Sequence, residues 1–228
     1  MGCASGHTLL CEAMSDELTI AQMKRMFVEA GKQIRQEHES LSRLDSIGGD
    51  GDHGTAMLLA FEKIDEAVRA DGASTMNGWL KDAGWSVLGV GGGASTALLG
   101  TFIAGMGDAE MSEQCDCNGL AASFNSGLRA LEKQTKAKPG DKTMMDALVP
   151  ALEAFEAAAS AGKTVSVAME EAAQAARKGA ETTKEMIARY GRAKFLGEKT
   201  LGSPDAGATS IALLFRGFSL AVTSVEEA

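Results

Sequence analysis

Aromatic residues make up only 5% of this 228-residue chain, and prolines number three. A core with so few rings has to be built from smaller side chains, and alanine, glycine and methionine supply much of the 45% hydrophobic content. Small side chains allow helices to approach closely, and scarce proline leaves long stretches free to be helical. The four cysteines, Cys3, Cys11, Cys115 and Cys117, contain no CxxC pair and form no dense framework. That excludes a zinc ribbon and a disulfide scaffold, and a reduced, cytoplasmic setting fits. Cys115-Asp-Cys117 reads as an ordinary loop. Basic residues are in deficit, 22 against 31 acidic ones, for a net charge of −9. Neither nucleic acid nor an anionic membrane attracts such a protein, although one small anion held through metal ions remains compatible with it.

Targeting signals are lacking too. No apolar run reads as long enough for a signal peptide or a membrane span. Met1-Gly2-Cys3-Ala4-Ser5-Gly6 misses the myristoylation pattern because Gly6 stands where Ser or Thr is required. Residues 1–14 are expected to form a disordered leader, with Met14 a candidate natural start, and 15–228 a single domain.

The most informative stretch is Asp45-Ser-Ile-Gly-Gly-Asp50-Gly-Asp52-His53-Gly54, which packs three carboxylates and four glycines into ten residues. Carboxylates held that close repel one another, and a hard divalent cation relieves the repulsion. The glycines let the backbone turn sharply and a large anion come near. Helical periodicity begins after Gly54, so the loop ends at a helix N-terminus, where free N–H groups favour phosphate. Metal and phosphate together point to nucleotide chemistry. The bland alternative is a polar connection with solvated carboxylates. An EF-hand is excluded because Phe61 stands where the closing Glu belongs, and a P-loop at Gly162-Lys163-Thr164 because Ala157 takes the first glycine position.

Elsewhere apolar residues recur at helical spacing. Ile20, Met23, Phe27, Ala30 and Ile34 form one stripe, Met57, Phe61, Ile64 and Val68 another, and Leu148, Leu152, Phe155 and Ala159 a third. The periodicity predicts eight helices near 15–40, 54–71, 74–89, 94–107, 116–136, 142–161, 164–189 and 206–225. Strand signals are scarce. Pro150 is expected to bend or restart the sixth helix. The fold class is all-α, one antiparallel eight-helix barrel or bundle.

Three further loops carry ligand-binding chemistry. Gly89-Val-Gly-Gly-Gly-Ala94-Ser95 is a glycine-rich entry into a helix. Pro139-Gly140-Asp141-Lys142-Thr143-Met144 is a turn with Asp141 a candidate N-cap. The stretch from Gly191-Arg192-Ala193 to Asp205-Ala206-Gly207 brings a fixed cation and another acid. Alternate loops of an up-and-down bundle gather at one end, but loop parity is not taken as enough to unite these four. His53, beside Asp52, fits a hydrogen bond to a nucleotide better than general catalysis, and His38 reads as surface.

With these loops in view, the chain resembles the nucleotide-binding L subunit of bacterial dihydroxyacetone kinases, from about residue 16 onward. The blocks are Leu44-Asp45 with Gly-Asp50-Gly-Asp52-His53-Gly54, Gly92-Gly-Ala94-Ser95, Pro139 to Met144, Gly191-Arg192-Ala193, Leu196-Gly-Glu198 and Asp205 to Ser210. The resemblance implies an eight-helix barrel with ADP or ATP in loops at one end. It makes Asp45, Asp50 and Asp52 ligands of two Mg²⁺ ions, and His53, Gly54, Thr55 and Ala56 the phosphate-contacting turn. Ala94 and Ser95 fall in the second nucleotide loop, Thr135 and Met144 on nucleotide contacts, Arg192 on a phosphate-binding arginine, and Asp205, Ala206 and Gly207 in the last loop over the site. Three positions depart from the family pattern. Ala56 stands where an amide side chain is common, Thr96-Ala97 replaces Gly-Pro, and Thr135 can be glycine in the L subunit.

The resemblance further implies that the ketose is held by a histidine of a separate K subunit, and that an M subunit of the phosphotransferase system recharges the bound ADP. A homodimer is the expected assembly. Alternatives are an ATP-dependent kinase subunit for another short ketose such as erythrulose, and a nucleotide-sensing regulatory subunit. The kinase domain of fatty-acid kinase is a more distant relative.

Overall fold

The helical periodicity resolves into eight α-helices: α1 (Ile20–Asp45), α2 (His53–Arg69), α3 (Met76–Leu88), α4 (Gly93–Met106), α5 (Cys117–Glu132), α6 (Met145–Ser160), α7 (Val165–Thr182) and α8 (Ala206–Thr223). The structure, a computed structural model, describes residues 17–70, 72–91 and 93–223, and all counts refer to these. The expected leader, 1–14, lies outside the described residues, as do Asp71 and Gly92. Two short strands, β1 (Leu18–Thr19) and β2 (Gln114–Cys115), pair antiparallel with Leu18 opposite Cys115. The Cys115-Asp-Cys117 stretch is therefore not a plain loop. Cys115 sits in β2, Asp116 caps α5 by accepting from the Gly119 N–H at 2.7 Å, and both thiols are buried.

Every helix packs on its neighbour in sequence, and α8 returns to α1, so the eight close into an antiparallel barrel. Short connections between consecutive helices dictate this up-and-down order. Seven of the eight phenylalanines and Trp79 fill the interior. Phe124 on α5 lies at their centre, 5.2 Å from Phe155, 5.7 Å from Phe215 and 6.4 Å from Phe102 and Phe218. Phe27 on α1 bridges to Trp79 at 5.2 Å and Phe218 at 4.9 Å. Around this small aromatic cluster the helix crossings are made by residues with little or no side chain. A Cβ at Gly217 of α8 would fall 2.3 Å from the Ala30 Cα of α1, and one at Gly84 of α3 within 2.3 Å of the Ala104 amide of α4. The shortage of aromatics thus becomes close helix contact.

Pro150 neither restarts nor divides the sixth helix, which runs unbroken over Met145–Ser160. The missing Pro150 N–H leaves the Asp146 carbonyl without its helical donor. Gly179 of α7 fits against that carbonyl, where a Cβ would lie 2.1 Å from the oxygen. The first helix starts and ends five residues later than the periodicity suggests, which places Asp45 in its last turn rather than in a loop. The seventh ends at Thr182, followed by a short 3-10 turn over Thr183–Glu185, and a second 3-10 segment spans Ala193–Thr200.

α8 corrects the reading that no apolar run is long enough for a membrane span. Its 18 residues have a mean hydropathy of 1.4, sufficient by length and composition. In the barrel it packs between α1 and α7, burying Ile211, Leu214, Phe215 and Phe218.

Loop parity is corrected as well. The four ligand-type loops follow α1, α3, α5 and α7, all odd-numbered, so the barrel brings them to one end.

Candidate functional site

At that end lies a cavity of about 420 Å³. Asp45, Asp50 and Asp52 stand at its edge, each offering a carboxylate oxygen within 4.8 Å of the other two. The local sequence builds this cluster in three steps. Asp45 ends α1, and its side chain accepts from the Gly51 N–H at 2.9 Å. Gly49 leaves the room for that carboxylate, because a Cβ there would fall 2.2 Å from Asp45 Oδ1. Gly51 turns the chain at φ +79°, a conformation that favours glycine. Asp52 then occupies the N-cap of α2 without making a side-chain capping bond, so its carboxylate stays with the cluster.

The charges in the cluster act on one another. Burial raises the Asp52 carboxyl above the usual carboxylate range, and the hydrogen bond and charge of Asp50 and the charge of Asp45 add to it. Burial also pulls Asp50 upward, but a backbone hydrogen bond and the Arg192 guanidinium outweigh it and hold Asp50 low. Arg192 reaches Asp50 directly from the α7–α8 connection. A cation therefore already lies against the acidic cluster. Three clustered hard oxygen ligands, one of them destabilised by the other two, fit a divalent ion of the Mg²⁺ type.

His53, the first residue of α2, is buried, and its Nε2 lies 3.2 Å from Ser210 Oγ of α8. The Ser210 hydroxyl in turn donates to the Gly207 carbonyl at 2.8 Å. Burial lowers the His53 pKa against the opposing pull of Asp45 and a backbone bond at Ala206, which keeps the ring neutral at physiological pH.

The other three loops add to the wall, above a floor of helix side chains such as Ile34, Phe61, Leu99 and Ile211. Ala94, Ser95, Thr135, Met144, Arg192, Asp205, Ala206 and Gly207 all line the cavity with Asp45, Asp50, Asp52 and His53. Gly54, Thr55 and Ala56 do not. Gly54 packs on α1, where a Cβ would be 1.8 Å from the His38 carbonyl. This glycine allows close helix contact. Thr55 points outward and Ala56 inward, with the Ala56 N–H already bonded to the Asp52 carbonyl at 2.9 Å. What this turn offers a ligand is the set of N–H groups of 53–55, which have no acceptor within the helix. Ala56 thus leaves no gap in the cavity wall. Thr96 is buried, donating to the Gly93 carbonyl at 3.1 Å, and Thr135 Oγ1 accepts from the Ala137 N–H at 3.1 Å.

Asp141 does not cap the sixth helix. It closes its own turn by accepting from the Lys138 N–H at 2.9 Å, while the buried Asp146 ties the 140–143 loop to α6 through the Gly140 and Thr143 amides. Asp205 does cap a helix, accepting from the Ala208 N–H at 2.8 Å. Burial raises the Asp205 pKa to about 6, helped by the Asp146 charge. Sequence reasoning singled out neither Lys142, whose buried ammonium sits beside these two acids, nor Asp146. An acid one turn into a helix that follows a Pro-Gly turn was the available signal for Asp146, and nothing local marked Lys142.

Residues 47–220 match the DAK2 domain family. The chain is 35% identical over 205 residues to the ADP-binding subunit DhaL of the PEP-dependent dihydroxyacetone kinase of Escherichia coli, covering 90% of this chain and 98% of that subunit. It is 33% identical to the corresponding subunit of kinase 1 of Listeria innocua, over 84% of this chain and 91% of that one. The L-erythrulose kinase of Pectobacterium atrosepticum is 36% identical over 81% of this chain, which spans only 32% of that longer protein. In structure, the chain is similar to the dihydroxyacetone kinase of C. freundii, with a TM-score of 0.69 at 23% identity over 97% of this chain and 38% of that one, a likeness of fold. With a matching family over most of its length and relatives of its own size, the chain belongs to the DAK2 domain family, among the DhaL subunits.

Proposed function

We propose that this chain is the ADP-binding, phosphoryl-transferring subunit of a dihydroxyacetone kinase, working in the cytoplasm with a ketose-holding K subunit. The observation that carries the reading is the convergence of Asp45, Asp50 and Asp52 with Arg192 and the open N-terminus of α2 at the edge of one cavity. The size match to DhaL subunits supports a chain that carries nucleotide and leaves the triose to a partner.

Each residue then has a physical task. Asp45, Asp50 and Asp52 would hold two Mg²⁺ ions, which when bound supply charge neutralisation along the phosphates. Arg192 leaves Asp50 to pair with phosphate oxygen, and the 53–55 amides donate to the same group. Neutral His53 hydrogen-bonds without competing for a proton. Met144, on the apolar wall, packs against the base, with Ala94, Ser95 and Thr135 bounding the nucleotide. Asp205, Ala206 and Gly207 close the last side. No side chain here forms a covalent intermediate; catalysis is by positioning and electrostatics. An M subunit of the phosphotransferase system recharges the ADP in place.

A second reading, an ATP-dependent kinase subunit acting on erythrulose, draws on the identity to erythrulose kinases. Native mass spectrometry of the purified chain separates the two. Retained ADP with two Mg²⁺ is the expected result, whereas an empty chain that binds Mg·ATP reversibly favours the second reading. Nucleotide binding without turnover once K and M subunits are supplied would make the chain a regulatory sensor. Asp50→Ala or Asp52→Ala is expected to abolish Mg²⁺-dependent nucleotide retention with the helical circular dichroism unchanged, and normal retention would overturn the metal assignment.

A further inference from the structure

The α7–α8 connection, residues 183–205, is the longest in the barrel and carries Arg192. Its two ends meet in a narrow neck. The Asp205 N–H donates to Thr183 Oγ1 at 2.8 Å, and the Gly202 N–H donates to the Lys184 carbonyl at 2.8 Å. Into this neck comes Lys142 from the turn before α6. Its ammonium donates to the Thr183 carbonyl at 2.5 Å on one side and to the Ser203 carbonyl at 2.6 Å on the other. Lys142 is only 6% exposed, and its backbone has φ +60°, the one positive φ at a non-glycine residue among those described. A buried cation in an unfavourable backbone conformation persists only where its surroundings over-determine it. Here the charges of Asp205 and Asp146 compensate the ammonium, and two carbonyls accept hydrogen bonds from two of its three N–H groups.

We propose that Lys142 is a positioning residue that clamps the neck of the α7–α8 loop and so holds Arg192 at the acidic cluster. It acts on the nucleotide through the loop, because two of its three N–H groups are committed to the Thr183 and Ser203 carbonyls. The same turn reinforces the clamp from outside, since the Arg189 N–H donates to the Asp141 carbonyl at 3.1 Å. Lysine suits the position because a compact ammonium can reach two carbonyls on opposite sides of a gap, and no neutral side chain of that length donates to both. The effect on nucleotide retention rests on the proposed ADP-binding function; the clamp itself does not.

The test uses the full chain with Lys142→Met, Lys142→Gly and Lys142→Arg. Trypsin sites at Arg189, Arg192 and Lys194 are exposed in the loop, so cleavage there in ligand-free protein reports local opening. Methionine keeps the length without the charge, and glycine relieves the positive φ while removing the ammonium. Both are expected to be cut in this loop about tenfold faster or more, the size of losing charge-assisted hydrogen bonds, and to release Mg·ADP faster by a similar factor. Arginine keeps the charge but presents a planar fork in place of the compact ammonium, and is expected to fall between the wild type and the Met variant. A global urea midpoint for each variant separates loop opening from general unfolding. Wild-type cleavage rates in the Met or Gly variant would overturn the clamp. Faster cleavage with unchanged Mg·ADP release would overturn its role in positioning. Failure of the wild type to hold Mg·ADP would count against the nucleotide reading alone, leaving cleavage to decide the clamp.

Discussion

Replacing Asp205 by asparagine tests the electrostatics of the site in one measurement. In the folded chain the Asp205 carboxyl titrates at about 6, against 3.8 for the free group. The folded state therefore binds the proton more tightly than the unfolded chain, and stability falls as pH rises from about 4 to about 6, then levels off. At about 1.4 kcal/mol per unit, the ionised carboxylate costs the fold about 2–3 kcal/mol. Asparagine retains the oxygen that accepts from the Ala208 N–H, so the α8 cap survives the change. Urea unfolding of ligand-free wild type and Asp205→Asn is compared from pH 4 to 7.5. The two are expected to be nearly equal at pH 4, with the variant ahead by about 2–3 kcal/mol above pH 6.5. Comparing the two proteins cancels the titration of groups that do not sense Asp205, which leaves only its neighbours Asp146 and Lys142. A difference that stays constant across the range would refute the reasoning, because it would mean that Asp205 has no raised pKa. The expected outcome also fits a functional use of the acid: stability is given up at a position that lines the cavity proposed for the nucleotide.

Gly179→Ala is expected to destabilise the fold by about 1–3 kcal/mol despite the better helix propensity of alanine, since the new Cβ meets the Asp146 carbonyl backbone rather than a movable side chain. Thermal unfolding checks this, and an unchanged midpoint would mean that α6 and α7 separate freely. Arg192→Ala is expected to weaken ADP binding more than adenosine binding in calorimetric titrations with Mg²⁺, because only the phosphates lose a partner; equal losses would assign Arg192 a packing role. Phe124→Ala, at the centre of the aromatic cluster, is expected to cost about 3–5 kcal/mol in chemical denaturation. A cost under about 1 kcal/mol would show that the interior collapses around the gap.

Much of this protein is legible in order along the chain. Stripes such as Met23, Phe27, Ala30 and Ile34 face inward as their spacing predicts, because a 3.6-residue period is a local property. The Asp45–Gly54 loop announces its carboxylates for the same reason: three acids within eight residues cannot be far apart. Helix ends are less legible. The first helix continues to Asp45, since the capping of Thr19 by Gln22 and the packing of α1 on α2 and α8 shift its limits, and neither packing partner is local.

The role of a residue whose partners lie far away in sequence is hidden until the barrel closes. Gly54 gives no local sign that it packs against the His38 carbonyl of α1. Pro150 reads as a break, and Gly179, 29 positions later, accommodates it. Arg192 meets Asp50 across 142 positions, and Lys142 meets Ser203 across 61. The sequence by itself determined the helical class, the acidic loop and the ligand-type loops, because periodicity and short-range charge spacing are carried by neighbouring residues. Only the tertiary structure decided that those loops share one cavity, that Lys142 and Asp146 hold it in shape, and which glycines serve packing, because those outcomes depend on hydrogen bonds and close contacts made when the ring of eight helices closes.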